Sequence, residues 1–166
     1  MKHRESEQTQ LRVSRLLNRD SVMLHAEMPS VQTALETLVE LQESNGVITN
    51  GTAYYKAVCE RERAGGTTAI GEGLAIPHAC NAGVASLGLA ALTLTRGLDW
   101  GAADGKLVDM IFMVAVPPDR QSDHLLILAG LVNLLSDHRL TEKLRMADTR
   151  EAFIRILNQT EAAVFA

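Results

Sequence analysis

Gly71-Glu72-Gly73-Leu74-Ala75-Ile76-Pro77-His78-Ala79 is the stretch of this chain that says most about its fold. Its three apolar residues predict a short buried strand, and Pro77 is expected to end that strand because proline cannot donate to a neighbouring strand. Proline also favours an extended conformation in the residue before it. His78 is therefore expected to leave the strand end in a defined direction, towards a surface cleft. An imidazole titrates near neutral pH and is a possible nucleophile, although a histidine that merely follows a strand is the alternative.

The composition indicates one ordinary globular domain. The chain has 166 residues, of which 46% are hydrophobic and 22% charged, values typical of a folded domain with a sizeable core. Its net charge is −4, from 16 basic and 20 acidic residues. We find no basic stripe with interleaved aromatic residues, so a nucleic-acid partner is not expected.

Targeting and redox features point to a cytoplasmic protein that is not inserted in a membrane. No apolar run approaches the roughly 18 residues that a membrane span needs. The first ten residues, MKHRESEQTQ, lack the apolar centre of a signal peptide. Cys59 and Cys80 are too few for a disulfide framework and form no CxxC pair. A reduced, cytoplasmic environment is the simplest interpretation.

The order of the periodic segments predicts an α/β fold. Residues 1–10 are expected to form a flexible tail, residues 11–160 a single domain, and residues 161–166 a C-terminal tail. Further strands are predicted at 22–26, 87–95 and 108–116, and helices at 31–45, 52–63, 123–135, 141–146 and from about 148 onwards, where Asp148 has the cap role of a capping box. Helices before, between and after strands favour an α/β sandwich over a helix bundle or a barrel.

Three segments are candidates to converge on His78. The run Glu60-Arg61-Glu62-Arg63 offers arginine donors for phosphate or carboxylate oxygens, although a solvated charge run is the alternative. The glycines of Gly71-Glu72-Gly73 would let the backbone approach a ligand closely, but a lone GxG is weak evidence. Ser122-Asp123-His124 begins a leucine-rich helix, where free N–H groups favour an anion and His124 would add a donor; a surface histidine is the alternative.

Two other kinds of chemistry have weaker support. His78, Cys80 and His124 are possible metal ligands, but the chain has neither HExxH nor CxxC. Serine hydrolase chemistry lacks a GxSxG elbow. The remaining histidines show no partner pattern and are interpreted as structural or exposed: His3, His25 and His138.

Thr67-Thr68-Ala69-Ile70 followed by GEGLAIPHA resembles the phosphorylation-site signature of phosphotransferase-system enzyme IIA domains of the fructose–mannitol class. The resemblance extends in order over roughly residues 11–160. It includes Glu60-Arg61-Glu62 at a helix end, Asp99 and Asp104-Gly105 near the central hairpin, the strand 108–113, and the helix that starts at His124-Leu125 and closes near Ser136-Asp137.

The resemblance implies a specific role for this chain. His78 would accept a phosphoryl group from the phosphocarrier HPr and pass it to a cysteine of an enzyme IIB domain, which serves a membrane IIC component in sugar uptake. Arg61 and His124 match residues that line the active site of the family. The fold implied is a three-layer α/β/α sandwich around a mixed sheet of about five strands. No cofactor, nucleotide or metal would be needed, because the phosphoryl group arrives already activated.

Three positions qualify the resemblance. Ala69 stands where the family usually has glycine, and Cys80 stands where a small or polar residue is expected. Glu72 favours the fructose-like branch, because the nitrogen-regulatory branch more often has asparagine there. A regulatory protein that is phosphorylated on His78 and acts by binding other proteins is the main alternative. A phosphate-free interaction module of the same fold is a third.

Overall fold

A mixed sheet of six strands lies between two layers of helices. The structure is a computed structural model, and it describes residues 11–164. The strands are β1 (Val22–Ala26), β2 (Ala69–Gly71), β3 (Leu74–Ala75), β4 (His78–Cys80), β5 (Gly88–Leu98) and β6 (Val108–Val116). The α-helices are α1 (Val31–Ser44), α2 (Gly51–Ala64), α3 (His124–Leu135), α4 (His138–Met146) and α5 (Arg150–Val164). Short 3-10 helices cover Val13–Leu16, Arg19–Ser21 and Pro118–Asp123.

The strand order across the sheet is β1-β5-β6-β3-β2, and β4 also pairs with β6. Strands β5 and β6 are antiparallel, whereas β1 runs parallel to β5, and β3 and β4 run parallel to β6. The sheet is five strands wide, because β3 and β4 lie end to end along β6. The predicted α/β sandwich with a mixed sheet of about five strands is confirmed.

Side chains of β6 alternate between two hydrophobic cores. Met110, Phe112, Val114 and Val116 pack on one face, in the core that contains the buried residues of α3, α4 and α5. Ile111, Met113 and Ala115 pack on the other face, in the core that contains those of α1 and α2, and Val108 at the start of the strand joins the same core. A strand buried on both faces appears in the sequence as a continuous apolar run, which is the pattern of residues 108–116. The two cores define the three layers.

The strand before Pro77 ends as the sequence predicts, one residue earlier than expected, because β3 stops at Ala75, but pairing with β6 resumes at His78. Leu74 pairs with Met110 and His78 with Val114, so β3 and β4 keep one register against β6 on both sides of the proline. Proline lacks a donor, but its carbonyl still accepts, and Val114 N donates to Pro77 O at 3.0 Å. His78 therefore follows the end of one short strand and begins another.

The last helix differs from its predicted start and end. Its first turn is capped by Thr149, whose Oγ1 accepts from Ala152 N at 3.1 Å, so Thr149 and not Asp148 has the cap role. The helix continues to Val164, so the C-terminal tail predicted at 161–166 is wrong for residues 161–164. The cause is Glu161, a buried side chain that is only 2% exposed. The predicted tail at 1–10 and the last two residues, 165–166, lie outside the described residues.

Glu161 joins the two ends of the described chain. Its carboxylate accepts from Val13 N at 2.8 Å and from Ser14 N at 2.9 Å, and also from the Ser14 hydroxyl. These amides stand at the start of the 3-10 helix Val13–Leu16, where backbone donors have no partner within the helix. A carboxylate there satisfies several donors at once, and α5 extends far enough to supply it.

Between residues 11 and 164, no helix is both long and apolar enough to cross a membrane.

Glu161→Ala should destabilise the domain by about 2–4 kcal/mol, because buried donors would lose a charged acceptor. Urea unfolding monitored by circular dichroism measures this free energy. Glu151→Ala on the same helix is the matched control, since Glu151 makes only an exposed ion pair with Arg19 at 3.2 Å; we expect a loss of at most about 1 kcal/mol. Equal losses for the two variants would contradict the structural role given to Glu161.

Candidate active site

The three residues predicted for the site lie on three different elements that meet at one end of β6. His78 is the first residue of β4, His124 the first of α3, and Arg61 lies in the last turn of α2. The two imidazole rings are in edge-to-face contact, with centroids 5.1 Å apart and planes inclined by 71°. Arg61 is close enough for its charge to lower the pKa of both histidines. The structure thus brings all three together.

A backbone carbonyl selects the tautomer of His78. Its Nδ1 lies 2.8 Å from Ile76 O. A carbonyl oxygen only accepts hydrogen bonds, so Nδ1 carries the proton of the neutral ring and Nε2 keeps its lone pair. The sequence did not name this hydrogen-bond partner. The free lone pair on Nε2 is what a nucleophilic imidazole requires.

Burial favours the neutral form of both histidines. Burial is the largest cause that lowers the pKa of His78, and the charge of Arg61 lowers it further, while the bond to Ile76 and the charge of Glu62 raise it. Burial also lowers the pKa of His124, followed by His78 and Arg61. His124 Nε2 is buried and has no hydrogen-bond partner within residues 11–164. It is an available polar atom beside the His78 ring.

Helix α2 is fixed to the two strands next to His78 by a buried tyrosine. The Tyr54 hydroxyl donates to Val114 O at 2.7 Å, and Ala79 makes a backbone hydrogen bond to the same side chain. Val114 is the residue of β6 that pairs with His78. Burial raises the pKa of Tyr54, so the phenol stays protonated and keeps donating. This bond sets the position of α2, and therefore of Arg61, relative to β4.

Arg61 also makes hydrogen bonds at the C-terminal end of its own helix, α2. Its Nη1 donates to Gly66 O at 3.1 Å, and its carbonyl accepts from Gly65 N at 3.2 Å. A guanidinium has five N–H donors, so one bond leaves others for an anion. Glu60-Arg61-Glu62-Arg63 is thus not a uniform solvated run, since Arg61 and Glu62 are only partly exposed while Glu60 and Arg63 are exposed.

The Gly71-Glu72-Gly73 segment forms the turn between β2 and β3. All three residues have positive φ, at 94°, 57° and 79°. Glu72 pairs with Lys106 at 2.7 Å. A Cβ at position 73 would lie 2.9 Å from Arg145 Nη2 and from Asp109 Oδ1. The glycines are thus explained by this turn and by close packing against Arg145.

One amide at the start of α3 has a partner within the chain, so the open N–H groups predicted there do not include that of His124. The 3-10 helix Pro118–Asp123 leads directly into α3, and His124 N donates to Gln121 O. Asp123 makes no side-chain cap and instead pairs with Arg120 at 2.6 Å. His124 is therefore available to the site through its ring.

The two departures from the family pattern leave the site intact. Ala69 is not among the non-glycine residues with positive φ in the described part of the chain, so its backbone does not require glycine. Cys80 lies on β4 and is partly buried against the hydrophobic core, with Sγ 3.7 Å from Pro117 O. As for the metal alternative, residues 11–164 contain no cluster of three His, Cys, Asp or Glu side chains that would hold an ion.

The sequence interpretation named Glu62 and Thr68 only within longer motifs and gave neither a role of its own at the site. Glu62 accepts from Thr68 N at 3.2 Å and from the Thr68 hydroxyl. Thr68 O in turn accepts from Ile76 N at 3.0 Å, and Ile76 is the residue whose carbonyl holds His78. A possible signal in the sequence was Glu62 in the last turn of a helix, followed by Gly65-Gly66 and then by Thr67-Thr68.

Comparison with known proteins identifies the family. Residues 15–160 match the family model for the phosphoenolpyruvate-dependent sugar phosphotransferase system, EIIA 2. The chain belongs to this family. Its relatives include proteins named as sugar-specific components and proteins named as nitrogen regulatory proteins.

One relative is the fructose-specific EIIABC component of Bacillus subtilis, 30% identical over 149 residues that cover 90% of this chain. The chain spans about a quarter of the length of the first two EIIABC relatives it matches, 23% in each case. Another is the nitrogen regulatory protein of Escherichia coli, 30% identical over 155 residues, which cover 92% of this chain and 93% of that protein.

The fold is also that of a solved EIIA 2 relative. The crystal structure of the nitrogen regulatory protein IIA-Ntr from Neisseria meningitidis has a TM-score of 0.80 and 28% sequence identity. The alignment covers 87% of this chain and 98% of that one. The family and its fold are therefore established, whereas the identity values do not separate sugar-specific from regulatory relatives.

His78 and His124 should titrate below the ordinary imidazole pKa of about 6.5, because burial disfavours their charged forms. Nitrogen-15 NMR of the imidazoles from pH 4.5 to 8 measures each pKa and shows the Nδ1–H tautomer of His78. The unfolded chain binds these protons near pH 6.5, whereas the folded chain binds them only at lower pH. The contribution of the two histidines to the free energy of unfolding is therefore complete above about pH 6.5, and it is lost as the pH falls through their pKa values in the folded chain. Titration of either ring above 6.5 would contradict the burial argument.

Proposed function

We propose that this chain is a phosphoryl-transfer component of a sugar phosphotransferase system that works in the cytoplasm. His78 accepts a phosphoryl group from phosphorylated HPr and passes it to a cysteine of an enzyme IIB domain, for uptake of a fructose-like or mannitol-like sugar through a membrane IIC component. The family match supports the class of reaction. The name of the Bacillus subtilis relative, which joins A, B and C in one component, supports a IIB partner.

The observation that supports His78 most directly is the hydrogen bond between its Nδ1 and Ile76 O. It leaves the Nε2 lone pair to attack phosphorus, so a bond from Nε2 to phosphorus forms while the bond from phosphorus to the donor's leaving atom breaks. The Nδ1 proton stays in place, and the Ile76 carbonyl stabilises the positive charge that develops on the ring. In the second step, a thiolate attacks the same phosphorus and Nε2 regains its lone pair.

Arg61 and His124 are suited to hold the equatorial phosphoryl oxygens. Phosphoryl transfer depends mainly on positioning and on neutralising charge at these oxygens. Arg61 retains unused N–H donors, and His124 offers a buried Nε2 that has no partner in the described structure. With a proton on Nε2, His124 would donate to an oxygen of the group on His78. Both residues are therefore assigned to charge stabilisation.

A regulatory role is the second candidate, because relatives named nitrogen regulatory protein match at the same level as sugar-specific ones. Both roles use phosphorylation of His78 and differ in the partner that follows. Glu72 favours the sugar branch. Its exposed side chain, paired with Lys106, lies on the turn between β2 and β3 and is open to a partner surface.

Incubation with enzyme I, HPr and phosphoenolpyruvate should add one acid-labile phosphoryl group to the wild-type chain and none to His78→Ala. Intact-protein mass spectrometry at neutral pH measures the added mass. His138→Ala is the control, because His138 is exposed at the start of α4, and it should be labelled like wild type. Labelling of His78→Ala would show that the phosphoryl acceptor is a different residue.

A second stage of the same experiment separates the two candidate roles. The purified phosphorylated chain is offered to a panel of IIB domains, and loss of its label is followed against time. Transfer to a IIB cysteine supports the sugar-uptake role. Retention of the label with every IIB domain of the panel supports the regulatory role.

Arg61→Ala should fold normally and accept phosphate about 100-fold more slowly, the usual effect of removing one donor to a transition-state oxyanion. Rapid-quench measurement of label on His78 gives the rate. Arg63→Ala removes the same charge two residues further along α2, from an exposed side chain, and should stay within about twofold of wild type. An Arg61→Ala rate equal to that of Arg63→Ala would remove Arg61 from the site.

A further inference from the structure

Glu62 lies next to Arg61 near the end of α2, where its carboxylate is hydrogen-bonded to two buried residues. Its carboxylate receives hydrogen bonds from Thr68 N at 3.2 Å, from the Thr68 hydroxyl, and from Trp100 Nε1 at 3.4 Å. Thr68 is 5% exposed and Trp100 6% exposed. A carboxylate with several donors is held in a fixed orientation, and it ties the end of α2 to the segment that enters β2.

The segment that Glu62 holds also supports the imidazole. Thr68 O accepts from Ile76 N at 3.0 Å, and Ile76 O lies 2.8 Å from His78 Nδ1. Two residues, Thr68 and Ile76, therefore separate the Glu62 carboxylate from the ring. Displacement of Thr68 would displace the carbonyl that selects the tautomer.

We propose that Glu62 is a positioning residue for His78, which acts through Thr68 and the Ile76 carbonyl to keep the proton on Nδ1 and the lone pair on Nε2. The consequence for catalysis rests on the proposed role of His78 as phosphoryl acceptor; the effect on the tautomer does not. The charges that act on the pKa of His78 are those of Arg61 and Glu62 from α2, and His124 from α3 is in ring contact with it. Among these, Glu62 is the one with negative charge, and it favours the protonated ring.

Glu62→Gln is the appropriate substitution because it keeps the shape of the side chain but leaves one acceptor oxygen in place of two. The amide cannot accept from Thr68 N and Thr68 Oγ1 on separate atoms as the carboxylate does. Glu60→Gln is the matched control: it removes the same charge on the same helix, from an exposed side chain. Thr68→Val is a second variant, which removes only the hydroxyl bond.

Nitrogen-15 NMR of the imidazoles, without any phosphoryl donor, gives the decisive readout. We expect wild type and Glu60→Gln to show His78 mainly as the Nδ1–H tautomer. Glu62→Gln should show an increased Nε2–H fraction and a lower pKa of His78, and Thr68→Val a smaller tautomer change in the same direction. A merely structural role of Glu62 would lower the melting temperature without moving the tautomer. The amide spectrum of each variant establishes that it is folded.

The rate of phosphorylation by phosphorylated HPr is the second readout, and Glu62→Gln should be about 10-fold slower than Glu60→Gln, as is typical for loss of a residue that orients a functional histidine. An unchanged tautomer in folded Glu62→Gln and Thr68→Val, with His78 labelled at the wild-type rate, would overturn the positioning role and leave the proposed function standing. If Glu62→Gln shifts the tautomer but phosphorylated HPr never labels the wild-type chain, the proposed function is wrong and the positioning role stands.

Discussion

Strand β6 is the constraint on which the rest of the structure depends. It is buried on both faces, so each of its backbone groups needs a partner from a neighbouring strand. β5 provides partners along one edge, and β3 and β4 provide them along the other, with the Pro77 carbonyl receiving Val114 N between the two short strands. A shift of one residue in this pairing would turn every side chain to the opposite face. The location of His78 follows directly from this register.

The site forms because elements on both faces of the sheet are fastened to the same end of β6. On one face, the buried Tyr54 hydroxyl fixes α2 to Val114 and so places Arg61 and Glu62. On the other face, α3 begins with His124, and its buried residues pack in the core that contains Val114. The two imidazoles meet at the sheet edge between these layers. Burial then favours the neutral form of both rings, which is the protonation state that a nucleophile and its neighbour need.

The sequence was sufficient for the layers and for the three residues that meet at the site. The apolar run 108–116 predicts a central strand, and the motif around His78 indicates the family that also points to Arg61 and His124. The sequence did not predict hydrogen bonds to backbone carbonyls, or which individual glutamates accept hydrogen bonds inside the fold. Pairing across Pro77 uses an oxygen that every residue has, so no residue type signals it. Glu62 and Glu161 are glutamates like exposed ones, and only the packed structure shows that their carboxylates serve as acceptors.

The contact of Glu161 with Val13 and Ser14 also brings the two ends of the described chain to one place. Because the first and last described segments are bonded to each other, the chain enters and leaves the domain at one place on its surface. Domains with neighbouring ends tolerate insertion and linkage well. Further modules can therefore be attached at both ends, or the whole domain inserted into a loop, without stretching the sheet or separating the three elements that form the site. Such an arrangement suits a domain that occurs among its relatives both as a nearly full-length match and as a fraction of a longer chain.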